Sequence, residues 1–425
     1  MMLKRKLSFR VYCLVVMIVL STFLPLLKLH LRIDINSVTS KVLLEGKHDS
    51  RKHDDEQFLF QFSDLQRPRS IQISCPLLFA GNATEQKRAM SVKWQQRSQQ
   101  NNTDQSQSIN CTLLKKNYIT SPLTREEQNF PIAYSMLVFK DFVQVERLLR
   151  AIYRPQNFYC IHIDIKSDNK FRQKLLQIAK CFENVFVTRK SVDVRWGTLT
   201  VLEPELLCME ELWNYSTWKY FINLTGQEFP LRTNAELVKI LKLYNGTNDV
   251  SGTIRRANKQ RWANAGGDPP AGIIPGKGSV HITVNRHFVD YVLHNQTARD
   301  FLDWCGKTWV PDETFFASLN HNPHLGIQGS ADGFVEPYIM NSRFKNWGNL
   351  HCAGKVVRQI CIFGVGDLPV LSRRYELFAN KFYWDFQPVT LDCMEELLYN
   401  RTRDDYHNKR TFDAAVYKNL SFLKH

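Results

Sequence analysis

Ile132–Asp164 reads IAYSMLVFKDFVQVERLLRAIYRPQNFYCIHID, and this stretch decides the fold. Ile132–Phe139 is a near-continuous apolar run, the pattern of a strand buried on both faces. Phe142–Tyr153 then places Val143, Leu148, Leu149 and Ile152 at helical spacings. Asn157–Asp164 is a second buried strand, ending on a carboxylate. A helix around Phe171–Cys181 and a third strand, Asn184–Val187, continue the rhythm. Strand-helix-strand-helix-strand predicts an α/β fold: a parallel sheet with helices packed on it. Ligands of such sheets bind beyond the carboxyl ends of the strands, which brings Asp164, Lys166 and Ser167 into view. An N-cap for the next helix would call for the same residue type at Asp164.

Downstream, Trp196-Gly197-Thr198 breaks the chain before a helix predicted over Leu199–Trp213. Trp218–Arg232 starts as a strand and ends in a glycine-bearing turn. An amphipathic helix runs from Asn234 to Tyr244. Gly246–Pro275, rich in Gly, Asn, Pro and Ala, is a long loop of the kind used over a site; within it Arg255, Arg256, Lys259 and Arg261 precede Trp262. Val280, Ile282 and Val284 alternate with polar residues as in a half-buried strand, and a helix follows from His287 to His294. In Trp309-Val310-Pro311-Asp312-Glu313, Pro311 and Asp312 are helix-start residues, with Glu313 in the first turn. The helix dipole favours a carboxylate there whether or not it does chemistry.

Val356–Phe382, VVRQICIFGVGDLPVLSRRYELFANKF, opens on an apolar run holding Arg358 and Cys361 and bends at Gly364–Asp367. Its two ends carry Arg358 and Lys381. Folded together, a planar guanidinium and a mobile ammonium suit phosphate oxygens. An ordinary strand, turn and helix with surface cations would carry the same residues.

The chain has 425 residues, is 44% hydrophobic, and contains 27 Phe and 9 Trp, ample for a large core. Its formal charge of +15 suits an anionic partner. With no zinc-finger spacing, Arg-rich tail or RNA-recognition signature, nucleic acid is not expected to be that partner. Lys4, Arg5, Lys6 and Arg10 precede an apolar run from Val11 to Leu27, and no small-x-small cleavage site follows it. A type II signal anchor is predicted, with the bulk of the chain lumenal. The expected layout is a cytosolic tail (1–10), an anchor (11–30), a polar stem (31–124) and a globular domain (125–425). Ten cysteines without C-x-x-C spacing point to disulfides in an oxidising lumen. Cys13 lies in the anchor; the other nine are an odd number, so at least one thiol is free or pairs between chains, as in a homodimer. Sequons at Asn82, Asn101, Asn110, Asn214, Asn223, Asn245, Asn295, Asn400 and Asn419 agree with the secretory pathway.

Taken together, FPIAYSMLVF, RLLRAIYRPQNFYCIHIDIKS, VRWGTLTVL, WKYFINLTGQEFPLRT, GSVHITVNRHFVDYVL, VPDETFFASL and VVRQICIFGVGDLPVL…ELFANKFYWD resemble the core 2 and I-branching β-1,6-N-acetylglucosaminyltransferases, distant relatives of the peptide O-xylosyltransferases. The likeness runs in order from about Phe130 to Cys393. It implies a GT-A glycosyltransferase fold, with a Rossmann-like nucleotide-binding half and a mixed-sheet acceptor half. It also implies a Golgi enzyme using UDP-GlcNAc and an O-glycosylated glycoprotein, branching core 1 (Galβ1-3GalNAc) to core 2. A UDP-glucose donor or an I-branching galactoside acceptor would keep the same mechanism; a catalytically silent, lectin-like membrane protein is a different class of reading.

No Asp-x-Asp occurs in the chain, and the resemblance implies a metal-independent enzyme without cofactor, in which Arg358 and Lys381 stabilise the UDP leaving group. It makes Glu313 the general base that deprotonates the acceptor 6-hydroxyl. On the donor side it implies Leu137, Val138, Phe139, Asp164, Ile165, Lys166 and Trp196, and on the acceptor side Arg261, Trp347 and Glu313. Departures fall among the acceptor positions: Val250 and Asn258 stand where core 2 enzymes carry an acid and a Lys, and Asn349 where they carry a Tyr. Family pairing implies disulfides Cys75–Cys393, Cys111–Cys181, Cys160–Cys208 and Cys352–Cys361, with Cys305 left as the free thiol.

Overall fold

The computed structural model describes Phe62, residues 73–92 and 109–334, Glu336 and residues 340–423. The apolar run at 11–27 lies outside them, and no helix among the described residues is long and apolar enough to cross a membrane.

The strands read from the opening stretch form one sheet. β1 (Ile132–Val138) lies between β2 (Phe158–Ile163) and β4 (Tyr220–Thr225), parallel to both. β3 (Val185–Val187) extends the sheet beyond β2 in parallel, and β6 (Thr283–Asn285) closes the other edge antiparallel to β4. Alternation along β1 and β2 splits their side chains between two cores. Ile132, Tyr134, Met136, Tyr159 and Ile161 face one, with α1 (Phe142–Ile152), α2 (Asn169–Lys180) and α4 (Asn234–Tyr244). Ala133 and Cys160 face the other, with α3 (Glu203–Trp213), α5 (Arg286–His294) and α6 (Gln296–Gly306). Each large apolar side chain buried this way contributes about 1.5–3 kcal/mol, so both faces of β1 are committed to packing.

A second sheet of three short strands carries part of the site. β10 (Phe378–Asn380) runs antiparallel to β5 (Glu228–Pro230) and parallel to β7 (Arg343–Lys345). A third apolar cluster forms around it, including Cys75, Leu78, Phe229, Phe344 and Cys393. Four disulfides close: Cys75–Cys393, Cys111–Cys181, Cys160–Cys208 and Cys352–Cys361. Cys305 is a buried free thiol whose pKa burial raises. Within the polar N-terminal region, Cys75–Phe79, Ala83–Ser91 and Cys111–Lys115 are short helices, each opened by a side-chain cap from Ser74, Asn82 or Asn110. Asn223 of the sequons is buried and bonded to Glu205, whereas Asn214 is exposed.

Local expectations differ from the structure at four places, each for a visible reason. Asp164 is not the N-cap of α2; Asp168 caps it, accepting from the Phe171 N–H at 2.8 Å. The helix expected from Leu199 begins as a 3-10 turn over Leu199–Val201, and α3 proper starts with Pro204 in its first turn. The strand expected from Val280 is confined to Thr283–Asn285, because the Ile282 N–H donates to the Asn223 side chain at 2.8 Å. The run at Val356–Phe363 is not one strand but a hairpin, β8 (Lys355–Val357) and β9 (Ile360–Ile362), turning at Arg358-Gln359.

Candidate active site

Contacts lead stepwise from the carboxyl ends of β1 and β2 to Glu313. Val138 ends β1, and its carbonyl accepts from the Asp164 N–H at 3.0 Å, so the donor-side residues of the two strands are neighbours. Leu137 is paired within the sheet, while Phe139 and Ile165 emerge from it and are exposed. Lys166 joins both loops: its ammonium donates to Asp164, to Asp193 and to the Val194 carbonyl, each at 2.8 Å. That holds the segment leading to Trp196, which is 76% exposed and packs edge-on against Trp309 at 5.6 Å between ring centroids.

From Trp309 the path reaches the acid. The Trp309 N–H donates to the Arg261 carbonyl at 2.8 Å, and the Val310 N–H to the Gly197 carbonyl at 3.0 Å. These bonds hold Val310 at φ 56°, the left-handed region, which a β-branched residue adopts only at a cost of about 1–3 kcal/mol. The chain therefore makes a separate 3-10 turn, Pro311–Glu313, before α7 (Phe315–Asn320) begins. Glu313 accordingly lies in the first turn of that 3-10 helix, as expected, just ahead of the α-helix. Its carboxylate accepts from Arg261 Nη1 at 3.2 Å and lies 3.6 Å from Lys277 Nζ, with about a third of the side chain exposed. Two cations thus converge on one carboxylate. Beside it, Asp312 is buried with one carboxylate oxygen unpartnered, and burial, followed by the Glu313 charge, pushes its pKa up to about 6.

The second charge centre lies between a separate two-stranded hairpin and the end of β10. The hairpin β8–β9 turns on two residues, Arg358 at φ 49° and Gln359 at φ 69°. Two consecutive positive φ values fit a tight two-residue hairpin turn, usually made by Asn-Gly. The hairpin is fixed by the Cys352–Cys361 disulfide and by the Cys361 N–H donating to the Asn346 carbonyl at 2.9 Å. The Phe363 N–H donates to the Lys381 carbonyl at 3.0 Å, tying β9's exit to the end of β10. Lys381 and Arg358 thus arrive from separate strands. Burial lowers the Lys381 pKa, Arg358 pushes it further down, and Glu228 pulls it back up. Neither cation is ion-paired among the described residues, an arrangement that an anion would relieve.

Glu228 anchors this sheet from below. Fully buried, it accepts from Arg343 Nε at 2.7 Å and is 2.5 Å from His281 Nε2. Burial would raise its pKa, but Arg343 and His281 outweigh that and hold it near 2, while burial lowers His281 to about 4. His281 is therefore neutral at physiological pH. Trp347 follows β7 on a loop shaped by Asn346, whose side chain accepts from the Gly348 N–H at 3.0 Å. The ring is 58% exposed and free for a ligand's face. Because Asn380 is in register with Lys345, Trp347 and Lys381 leave the sheet at the same end.

Sequence reasoning missed Lys277. It lies in the Gly/Pro-rich region, where a lysine resembles a surface residue; only its pairing with Thr253 in a short antiparallel bridge brings it to Glu313. Val250, at one of the departures, is buried, and its carbonyl lies 2.8 Å from His321 Nε2, so this position serves packing.

A mostly parallel sheet with exposed groups at its carboxyl end, a carboxylate held between two cations, and a second cation pair without an ion-pair partner among the described residues together form the candidate site. Residues 132–372 match the family described as Core-2/I-Branching enzyme, and the chain belongs to that family of glycosyltransferases. It is 35% identical over 370 residues to the bovine beta-1,3-galactosyl-O-glycosyl-glycoprotein beta-1,6-N-acetylglucosaminyltransferase, covering 78% of this chain and 86% of that protein. The human protein of the same description is 33% identical over 78% of this chain and 86% of its own length. A human N-acetyllactosaminide beta-1,6-N-acetylglucosaminyl-transferase is 35% identical over 67% of this chain and 76% of that protein.

Proposed function

We propose that the chain is an inverting GT-A glycosyltransferase that moves GlcNAc from UDP-GlcNAc to the 6-hydroxyl of the GalNAc in core 1 O-glycans on glycoproteins, forming the β-1,6 branch of core 2. The observation that carries this reading is the presence of two charge centres: Glu313 between Arg261 and Lys277, and Arg358 on the β8–β9 turn with Lys381 after β10, neither ion-paired among the described residues. Glu313 accepts the acceptor's hydroxyl proton as that oxygen attacks the anomeric carbon. The bond from that carbon to the diphosphate oxygen breaks, and its electron pair leaves with UDP. Arg358 and Lys381 stabilise the charge where it grows, which supports a reaction independent of metal. A single displacement inverts configuration and needs one base. Leu137, Val138, Phe139, Asp164, Ile165, Lys166 and Trp196 would hold the nucleotide-sugar; Arg261 and Trp347 would hold the acceptor. The basic flank and apolar run at the N-terminus, with the four disulfides, support a type II Golgi membrane protein with this domain in the lumen.

The test is transfer by the full-length chain to core 1 disaccharide, with UDP-GlcNAc and UDP-glucose compared in excess EDTA. Product from UDP-GlcNAc in the presence of chelator is the expected result. A strict metal requirement refutes the cation-pair mechanism. Transfer from UDP-glucose alone refutes the donor, and transfer only to lactosaminide acceptors refutes the acceptor.

A further inference from the structure

A cleft of about 200 Å³, lined by Ser251, Gly252, Thr253, Arg256, Lys277 and Gly278, opens beside the base. Its walls come from the short bridge in which Gly252 pairs with Gly278 and Thr253 with Lys277. Backbone packs close here: a Cβ on Gly278 would collide with the Ser251 carbonyl and meet the Ala317 side chain of α7. The lining groups are therefore two hydroxyls, backbone, and two cations, with no carboxylate among them. Arg256 is shared with Glu336, 3.8 Å from its Nε, and Glu336 also accepts from the Thr253 hydroxyl and from the Arg255 N–H. Lys277 has Glu313 at 3.6 Å, but that carboxylate already holds the buried Arg261 at 3.2 Å.

Behind the cleft stands a further cation. Lys345 Nζ donates to Ser279 Oγ at 3.1 Å and lies 3.3 Å from His281 Nδ1. Burial lowers its pKa to about 8, so it remains mostly charged at neutral pH, within electrostatic reach of both Glu313 and Lys277. Arg261 and Lys277 thus converge on the Glu313 carboxylate, while Lys345, which also feels Glu228, adds positive charge behind them. Within the cleft itself Arg256 and Lys277 offer charge-assisted hydrogen bonds that an acid would use.

We propose that this cleft binds an anionic substituent of the acceptor, a carboxylate or a sulfate, with Lys277 as its main contact and Arg256 and Ser251 completing the recognition. The inference rests on the reading that Glu313 faces the acceptor. Such a contact makes the chain selective for acidic glycans over their neutral parents.

Calorimetric titration of the full-length chain, UDP present, with neutral core 1 disaccharide and with its sialylated and sulfated forms tests the idea, alongside transfer to each. One charge-assisted contact corresponds to about tenfold tighter binding, falling as salt is raised. Lys277→Gln should bring the ratio of anionic to neutral affinity to about one. Taking the ratio removes any effect of the substitution on Glu313. Arg256→Gln should lower the same ratio a few-fold. Preference for one acid identifies whether carboxylate or sulfate is the natural group. Equal or weaker binding of both acids by the wild-type chain overturns the inference, even with neutral transfer intact. Absence of transfer to every acceptor would instead defeat the proposed function, and the titration would still decide the anion site.

Discussion

Arg358 offers a substitution whose effects on stability and on rate have opposite signs. The residue occupies the left-handed region at φ 49° on an exposed hairpin turn and faces another cation, Lys381, without an acidic partner. A left-handed conformation costs a non-glycine residue about 1–2 kcal/mol. Glycine removes that strain but loses about 0.5–1 kcal/mol to its greater freedom when unfolded. Arg358→Gly should therefore stabilise the fold by about 0.5–1 kcal/mol, a rise of about 1–2 °C in Tm for a chain of this size. In catalysis the sign reverses. A cation about 4 Å from the developing diphosphate charge, at an effective dielectric of about 20, contributes about 4 kcal/mol, so its loss should lower kcat about a thousandfold. The assay is UDP-GlcNAc transfer with saturating acceptor, run beside a thermal melt on the same preparation. A variant as stable as wild type, or more so, and nearly inactive fits the argument. Unchanged kcat would show that Arg358 does not meet the leaving group. A joint loss of stability and rate would show that the guanidinium holds the hairpin instead.

Glu313→Gln should lower kcat by about a hundredfold to ten-thousandfold, the range for a lost general base, with KM little changed; retention of a tenth of the activity or more would refute its role. Asp312→Asn tests the buried acid through pH. Its folded pKa of about 6 lies above the ordinary carboxylate value, so its favourable contribution is complete at low pH and is lost as pH rises through 6. That shift corresponds to about 3 kcal/mol. The Asn variant should therefore be more stable than wild type at pH 7.5 and close to it at pH 4, as read from urea midpoints; an equal difference at both pH values would refute the titration.

Strands whose environment is uniform were legible in the sequence. Ile132–Val138 is apolar because helices cover both faces of the sheet, and Phe158–Ile163 follows the same rule. What a local pattern misreads is an element whose partner lies far along the chain. Ile282 alternates like a strand residue, yet its N–H is used by the side chain of Asn223. Val356–Ile362 reads as one apolar run because no Asn-Gly marks its turn; the tight turn falls instead on Arg358-Gln359. Glu313 looked like an ordinary first-turn acid, since nothing nearby in sequence reveals that Arg261 and Lys277 converge on it from more than thirty residues away. Only the family likeness distinguished it. The same reasoning explains why Lys277 stayed hidden while Arg358 and Lys381 did not. The latter two bracket one continuous stretch, so their approach needs only that stretch to fold back, whereas Lys277 gains its meaning from a two-residue bridge to Thr253. The Arg358–Lys381 pair is therefore brought together by one stretch of chain, and the groups around Glu313 by distant loops. The surroundings of Glu313 are thus the part of the site that this sequence can alter while keeping the sheet and the Arg358–Lys381 pair in place.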